Sequence, residues 1–322
     1  MIDDKNRVLV HSPADLASEH LAWAESIQQH PGITFGLPAI DRYVVPMRPG
    51  NLVCFIGRPG HAKTSLLAYL ARLEAQRIVA RGAEGEVVVY VTWEQSAEEL
   101  EAFFQADGEY SISDIMWGRV ELDKLRKRAI KRAGLPIWII GHSIGRAGMK
   151  APRMTIDAVL GAIETMEADY EVKPVLMLFD YMQLIPSKSY KDRVQQVTEV
   201  PILVKELALR LGVPAAVGVQ ARREVDDRRE KIPELRDAQW AASIEQTADK
   251  VFGLWRPVQT EKKGAVVSIE GGHDYPVTDN LIVLRMLKQR GDVGRRTWGL
   301  YFDMACLKLA EMELNAGGLY GG

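Results

Sequence analysis

The sequence predicts an α/β protein: a mainly parallel central sheet with helices on both faces and an antiparallel extension at the C-terminal end. Short apolar, β-rich runs recur between residues 51 and 220, with amphipathic segments between them. Beyond about Trp240 the strand-like runs follow one another closely. Fully apolar runs mark strands covered on both faces, and alternation of strand with helix marks parallel pairing.

The runs are NLVCFIG (Asn51 to Gly57), EVVVYVTW (Glu86 to Trp93), LPIWIIG (Leu135 to Gly141), KPVLMLFD (Lys173 to Asp180) and VPAAVGVQ (Val213 to Gln220). Between them, segments such as TSLLAYLARLEAQRIVARG, LDKLRKRAIKRAG and TIDAVLGAIETMEADY space apolar residues three and four apart, as helices do. Past Trp240, the runs DKVFGLWRP, DNLIVLRMLKQRG, RRTWGLYFD and CLKLAEM read as an antiparallel extension, with EKKGAVVSIEGGHDYP as a polar connection. No Gly/Ser/Pro-rich linker divides the chain, so residues 32–322 are expected to form one domain. Residues 1–31 hold one capped helix within SPADLASEHLAWAESIQQHPG, too short to build a core alone. That helix is expected to lie on its own domain or on a neighbouring subunit.

Composition narrows the class. The 322 residues are 47% apolar and 26% charged with a net charge of −2, ordinary values for a globular protein. No apolar run reaches the roughly 20 residues that cross a bilayer, so no membrane partner is expected. The N-terminus lacks a signal-peptide stretch, which predicts a cytoplasmic protein. Two cysteines, Cys54 and Cys306, exclude a disulfide framework and a thiolate zinc site. The near-neutral charge argues against a wholly basic surface and leaves a local basic lining open.

The chemistry is concentrated in Gly57-Arg58-Pro59-Gly60-His61-Ala62-Lys63-Thr64-Ser65. This is the phosphate-binding pattern G-x-x-x-x-G-K-[ST] with Ala62 in place of the second glycine. Such a loop turns successive backbone N–H groups inward around a phosphate and places it at a helix N-terminus. Lys63 is then expected to reach the β and γ phosphates of ATP and Thr64 to bind Mg²⁺. Ala62 costs roughly 1 kcal/mol of backbone strain, little beside several charge-assisted phosphate contacts. In this position the loop is similar to that of the minichromosome-maintenance helicases, which carry alanine and remain ATPases.

The partners stand at strand ends. A fully apolar strand delivers Asp180, placed at its C-terminal end to organise Mg²⁺ through water. Glu94, after the strand that follows the loop helix, is placed to act as catalytic base, although a helix N-terminus also favours a carboxylate. Gln220 ends the next apolar strand and can sense the γ-phosphate.

The order of these pieces resembles the DnaB-type replicative helicases over most of the chain, from about Gly32 onward. GITFGLPAIDRYVVPMRPGNLVCFIGRPGHAKTSLL resembles that family's leading segment and loop. VTWEQS and FDYMQLI resemble its signatures around the base and the Walker B acid, while ELRDAQWAASIEQTADKVFGLWRP and LKQRGDVG resemble its later segments. The resemblance implies a RecA-like P-loop ATPase domain that assembles into a ring, usually a hexamer, with ATP at each subunit interface. It implies that Lys288 and Arg290 are inserted into the neighbour's site. It also implies single-stranded DNA threaded through the ring and held by the loop from Gln220 to Ala241, with Arg222, Arg223, Arg236, Asp237, Ala238 and Gln239 as contacts. Alternatively, the charges of that loop pair with one another. A primase or loader is implied as a partner, and a bacterial or phage-infected cell as the setting. Ala62, Ala238 and Gln239 depart from the family pattern, and one helix stands where the family has its primase-contacting domain. The expected function is an ATP-dependent DNA helicase or single-strand translocase; the alternatives are a RecA-fold ATPase that assembles and regulates without unwinding, and a nucleotide-binding scaffold with no turnover.

Overall fold

The computed structural model describes residues 10–106, 108–146, 153–186, 193–269, 273–291 and 294–312. The chain opens with α1 (Pro13–Gln29), capped by the Ser12 hydroxyl, which accepts from the Asp15 amide at 3.2 Å. The single turn α2 (Pro38–Asp41) leads to β1 (Leu52–Gly57) and α3 (Lys63–Arg81), which Gly82 ends at φ 64°. Then come β2 (Glu86–Thr92), α4 (Ala97–Gln105), α5 (Ile112–Met116), α6 (Leu122–Ala133) and β3 (Ile137–Ile140). A reciprocal Ser96–Glu99 capping box starts α4. The next pairs are α7 (Ile156–Tyr170) with β4 (Lys173–Asp180) and α8 (Arg193–Leu211) with β5 (Ala215–Gln220). The last elements are α9 (Ala241–Thr247), β6 (Lys250–Trp255), β7 (Val266–Ile269), β8 (His273–Pro276), β9 (Leu281–Gln289), β10 (Arg296–Asp303) and β11 (Lys308–Glu311).

The main sheet runs β11-β10-β9-β6-β1-β5-β4-β2-β3. The pairings from β6 across to β3 are parallel, and those of β9, β10 and β11 are antiparallel. This is the expected architecture with one correction. The segment DKVFGLWRP, expected to begin the antiparallel extension, forms β6 and pairs parallel to β1, with Val53 opposite Lys250. The reason is α9, a short helix within the crossover from β5 that returns the chain to the same edge before β6 begins. The stretch expected as a plain polar connection also carries the separate β7–β8 ribbon.

Alternation along the strands builds a core on each face. Val53 and Phe55 of β1 pack under α3 with Val88, Tyr90, Leu176 and Leu178. Leu52, Cys54 and Ile56 face the other way, against Val159 and Ile163 of α7 and Val204 and Ala208 of α8. In the first core the rings of Phe55 and Phe252 stack with centroids 5.4 Å apart, and Phe35 meets both edge-on.

The parallel register matters for the site. Thr92 lies opposite Asp180, and Gly57 opposite Gln220, so the ends of β1, β2, β4 and β5 share one edge of the sheet. Side chains from distant parts of the sequence converge there.

Replacing Phe55 by Ala is expected to destabilise the protein by about 3–5 kcal/mol, because a buried aromatic leaves a cavity that its neighbours cannot fill. The exposed Val79 changed to Ala should stay within about 0.5 kcal/mol. Denaturant titration of the two variants checks the contrast.

Candidate nucleotide site and strand loop

From the end of β1 the chain passes through Gly57–Ala62 into α3. Two residues of this turn take left-handed backbone, Gly60 at φ 77° and Ala62 at φ 65°. The first is a conformation glycine adopts freely; the second is the strain expected from the sequence. Pro59, Gly60, Ala62, Lys63, Thr64 and Ser65 line a cavity of about 320 Å³, together with Glu94, Gln95, Phe103, Asp180, Tyr181, Gln220 and Met304. The sequence-predicted groups Lys63, Thr64, Glu94, Asp180 and Gln220 thus meet in one place.

Gly57, Arg58 and His61 belong to the loop but do not line this cavity. Gly57 lies beneath it, where an added Cβ would sit 3.3 Å from the Leu254 carbonyl oxygen. His61 is buried, and its Nδ1 accepts from the Arg256 amide at 3.4 Å. Burial, reinforced by Lys63, pulls its pKa down to about 4. The Arg58 side chain turns away from the cavity to Asp226, Nε to Oδ2 at 2.9 Å.

The Lys63 ammonium donates to the carbonyls of Gly57 at 2.9 Å and Arg58 at 3.0 Å. Burial lowers its pKa to about 8, against the opposing charges of Asp180 and Glu94. Asp180 is 1% exposed and accepts hydrogen bonds from the hydroxyls of Thr64 and Tyr90, the latter at 3.2 Å on Oδ2. Burial raises the pKa of its carboxyl. Its Oδ1 is buried with no hydrogen-bond partner among the described residues. An orphaned carboxylate oxygen beside a hydroxyl is an oxygen donor set that fits hydrated Mg²⁺. Gln220 is held by Gln183, whose Oε1 accepts from the Gln220 amide at 3.1 Å.

Lys288 and Arg290 lie elsewhere. Because β9 runs antiparallel to β6, Lys288 pairs with Val251 and Gln289 with Lys250, near the start of the parallel strands. That is the edge opposite the cavity. The Lys288 ammonium donates to the Glu245 carbonyl, and Arg290 contacts Asp249 at 3.4 Å and the Gln246 carbonyl at 3.2 Å. Arg290 remains 56% exposed.

The loop after Gln220 is closed at its neck. Ala221 bridges Ala238, and the Arg222 amide donates to the Asp237 carbonyl at 2.8 Å. Its charges pair partly with one another, the alternative that the sequence raised, and partly with other elements. Arg228 takes Asp237, and Arg236 takes Glu234 at 2.9 Å. Asp226 goes to Arg58, Glu230 to Arg285, and Lys231 to Glu261. The exposed side chains of Arg222, Arg223 and Arg229 have no partner among the described residues. Asp237 and Ala238 are buried at the neck, where they shape the loop; Gln239 is exposed.

The sequence does not single out Tyr90, nor the lining residues Gln95, Phe103, Tyr181 and Met304. Tyr90 was read only as part of an apolar strand, although a hydroxyl in such a run is a signal for a buried polar partner. Phe103 and Met304, which form the apolar wall of the cavity, carry no local signal.

A family model described as the DnaB-like helicase C terminal domain matches residues 32–306. The chain belongs to this family. Among similar curated proteins, the replicative DNA helicase DnaB of Rickettsia bellii (strain RML369-C) is 26% identical over 301 residues, covering 88% of this chain and 58% of its own length. The replicative DNA helicase DnaC of Bacillus subtilis (strain 168) is 27% identical over 292 residues, with 88% and 57% covered. The chain therefore spans less than two thirds of these relatives. A solved DnaB-like replicative helicase, described together with its interactions with primase, superposes with a TM-score of 0.72 at 20% identity over 95% of this chain and 68% of that one. A solved ATPase domain gives 0.74 at 19% identity, over 94% of this chain and all of that one. The fold is thus the RecA-like fold of DnaB ATPase domains.

Two measurements follow from the loop. Ala62→Gly removes roughly 1–2 kcal/mol of left-handed strain and returns part of it as unfolded-chain entropy, so a net gain of up to about 1 kcal/mol is expected. A loss of that size in denaturant titration contradicts the strained geometry. For His61, the folded pKa of about 4 lies below the ordinary 6.5. Between these values the unfolded chain binds the extra proton, so stability falls as pH drops through 6.5 and levels off near 4. A His61→Asn variant should lose that part of the pH dependence, read from melting midpoints across the window.

Proposed function

We propose that the chain is the motor domain of an ATP-dependent DNA helicase or single-strand translocase that works as a ring of copies, six in number by family likeness. Lys63 and the loop amides bind the phosphates of ATP, and Ser65 supports them. Thr64 and, through water, Asp180 would hold Mg²⁺, whose chemistry is to neutralise phosphate charge. Glu94 orients and deprotonates the attacking water, Gln220 senses the γ-phosphate, and Tyr90 holds the Asp180 carboxylate. Phe103 and Met304 offer the nucleotide an apolar wall.

One observation carries this reading. The groups that bind and hydrolyse lie at one edge of the sheet, while Lys288 and Arg290 lie at the other. A single copy cannot bring them together, but a second copy can complete the site with Arg290. A cation supplied in trans in this way is worth about 10³ to 10⁵ in rate.

The helix α1 supports assembly. None of its residues is buried, and it exposes Leu16, Leu21 and Trp23 beside Asp15, Glu19 and Glu25. Residues 1–31 are proposed to be a linker segment whose helix packs on a neighbouring copy of the 32–322 ATPase domain. The surface around α5 and α6 has complementary character, exposing Trp117, Leu122 and Ile130 among basic side chains.

Single-stranded DNA is the proposed track. Arg222, Arg223 and Arg236 would meet its phosphates, with Gln239 beside them, and Asp237 and Ala238 would hold the loop in shape. Such contacts are sequence-independent and weaken with salt. A primase or loader is the proposed protein partner. No helix among the described residues is long and apolar enough to cross a membrane. The bacterial cytoplasm is the proposed compartment, as the curated relatives come from bacteria.

Lys63→Ala should abolish nucleotide turnover, and Arg290→Ala should lower it by about 10³ or more while leaving nucleotide binding in place. Mixing the two inactive proteins should restore part of the activity, since some interfaces then pair an intact Lys63 with an intact Arg290. Unchanged strand-stimulated hydrolysis in both variants rules the reading out. Unwinding of a forked duplex by the wild-type protein tests the helicase step.

A further inference from the structure

We propose that Asp226 is a positioning residue that ties the strand loop to the phosphate loop through Arg58, coupling occupancy of the phosphate site to engagement of single-stranded DNA; this rests on the motor reading above. Asp226 has loop arginines close by in sequence, yet it pairs with Arg58 at 2.9 Å, from a segment 168 residues away. The Arg58 side chain is 14% exposed and also donates to the Ala221 carbonyl at 3.3 Å. Its guanidinium thus clasps the first strand of the loop at two points. Just before Asp226, the 3-10 turn Arg223–Val225 is anchored by the fully buried Val225. The acid is presented from a fixed base.

The same peptides hold Lys63. Its ammonium donates to the carbonyls of Gly57 and Arg58, and the Gly57 carbonyl also accepts from the Ala221 amide at 3.1 Å. A phosphate that draws Lys63 into the cavity changes the hydrogen bonding of both peptides. One of them is bonded to the start of the strand loop, and the side chain of the other grips Asp226. Arg222 and Arg223, whose side chains are free among the described residues, lie between these attachments at Ala221 and Asp226. Movement of the tether therefore moves the candidate DNA contacts directly. Arg228, in contrast, is held within the loop by Asp237 and transmits nothing to the phosphate site.

The test compares wild type, Asp226→Ala and Asp226→Glu. Fluorescence anisotropy gives the affinity for a single-stranded DNA oligonucleotide with and without a slowly hydrolysed ATP analogue, and phosphate release gives turnover with and without the oligonucleotide. For Asp226→Ala, strand-free turnover, nucleotide KM and nucleotide-free strand affinity should stay within about twofold, while the effect of nucleotide on strand affinity falls about fivefold or more. Stimulation of turnover by the strand should fall with it, and Asp226→Glu should recover much of both. An unchanged nucleotide effect overturns the proposal. So does an equal loss of turnover without the strand, which would make Asp226 a prop for the phosphate loop alone. Absence of strand-stimulated turnover in the wild type overturns the motor reading itself, before any variant is compared.

Discussion

The parallel pairing of β1 with β5, which sets Gly57 opposite Gln220, fixes the points at which two loops leave the sheet. One loop turns into α3 and lines the cavity. The other runs through Arg222 and Arg223 and closes on itself at Ala238. Hydrogen bonds of the sheet lock that register along the whole length of both strands, from Leu52 opposite Ala215 onward. A one-residue slip would turn every alternate side chain to the wrong face and misplace both loops together. The buried faces make such a slip costly, since Val53 and Phe55 belong to one core and Cys54 and Ile56 to the other.

Around this frame, electrostatics sorts residues by where their charges end. Asp180 is kept in a buried position and receives the hydroxyls of Thr64 and Tyr90, leaving one oxygen without a partner. Lys63 sits across from it on backbone carbonyls, a resting place without a counterion in direct contact. In the strand loop the acids turn inward or toward other elements: Asp237 to Arg228, Glu230 to Arg285, Asp226 to Arg58. Arginines are thereby left facing solvent on a chain whose net charge is −2. A local excess of positive charge needs no overall excess.

Much of the fold was legible in the sequence because buried strands in an α/β sheet are written as unbroken apolar runs. β1, β2, β4 and β5 fall where those runs lie, and the residues after them converge as the strand-end rule requires. The direction of β6 was not legible, because α9 is only a seven-residue helix in a segment that reads as loop. Long-range partners were hidden for another reason. Nothing local to Arg58 points to Asp226, nor anything in Tyr90 to Asp180, since both contacts arise from tertiary packing. The position of Lys288 and Arg290 across the sheet from the cavity also depends on strand order, which residue patterns do not encode.

The first helix has a consequence of its own. A helix of 17 residues with no buried side chain lies near the length at which isolated helices are only marginally stable in water. Its cap at Ser12 and the stacking of Arg48 over Trp23, 5.6 Å from the ring centroid, are modest supports. If it packs on a neighbouring copy as proposed, its order follows mass action: dilution favours a frayed peptide and crowding of like chains a rigid strut, which would make this one element a gauge of the protein's own concentration.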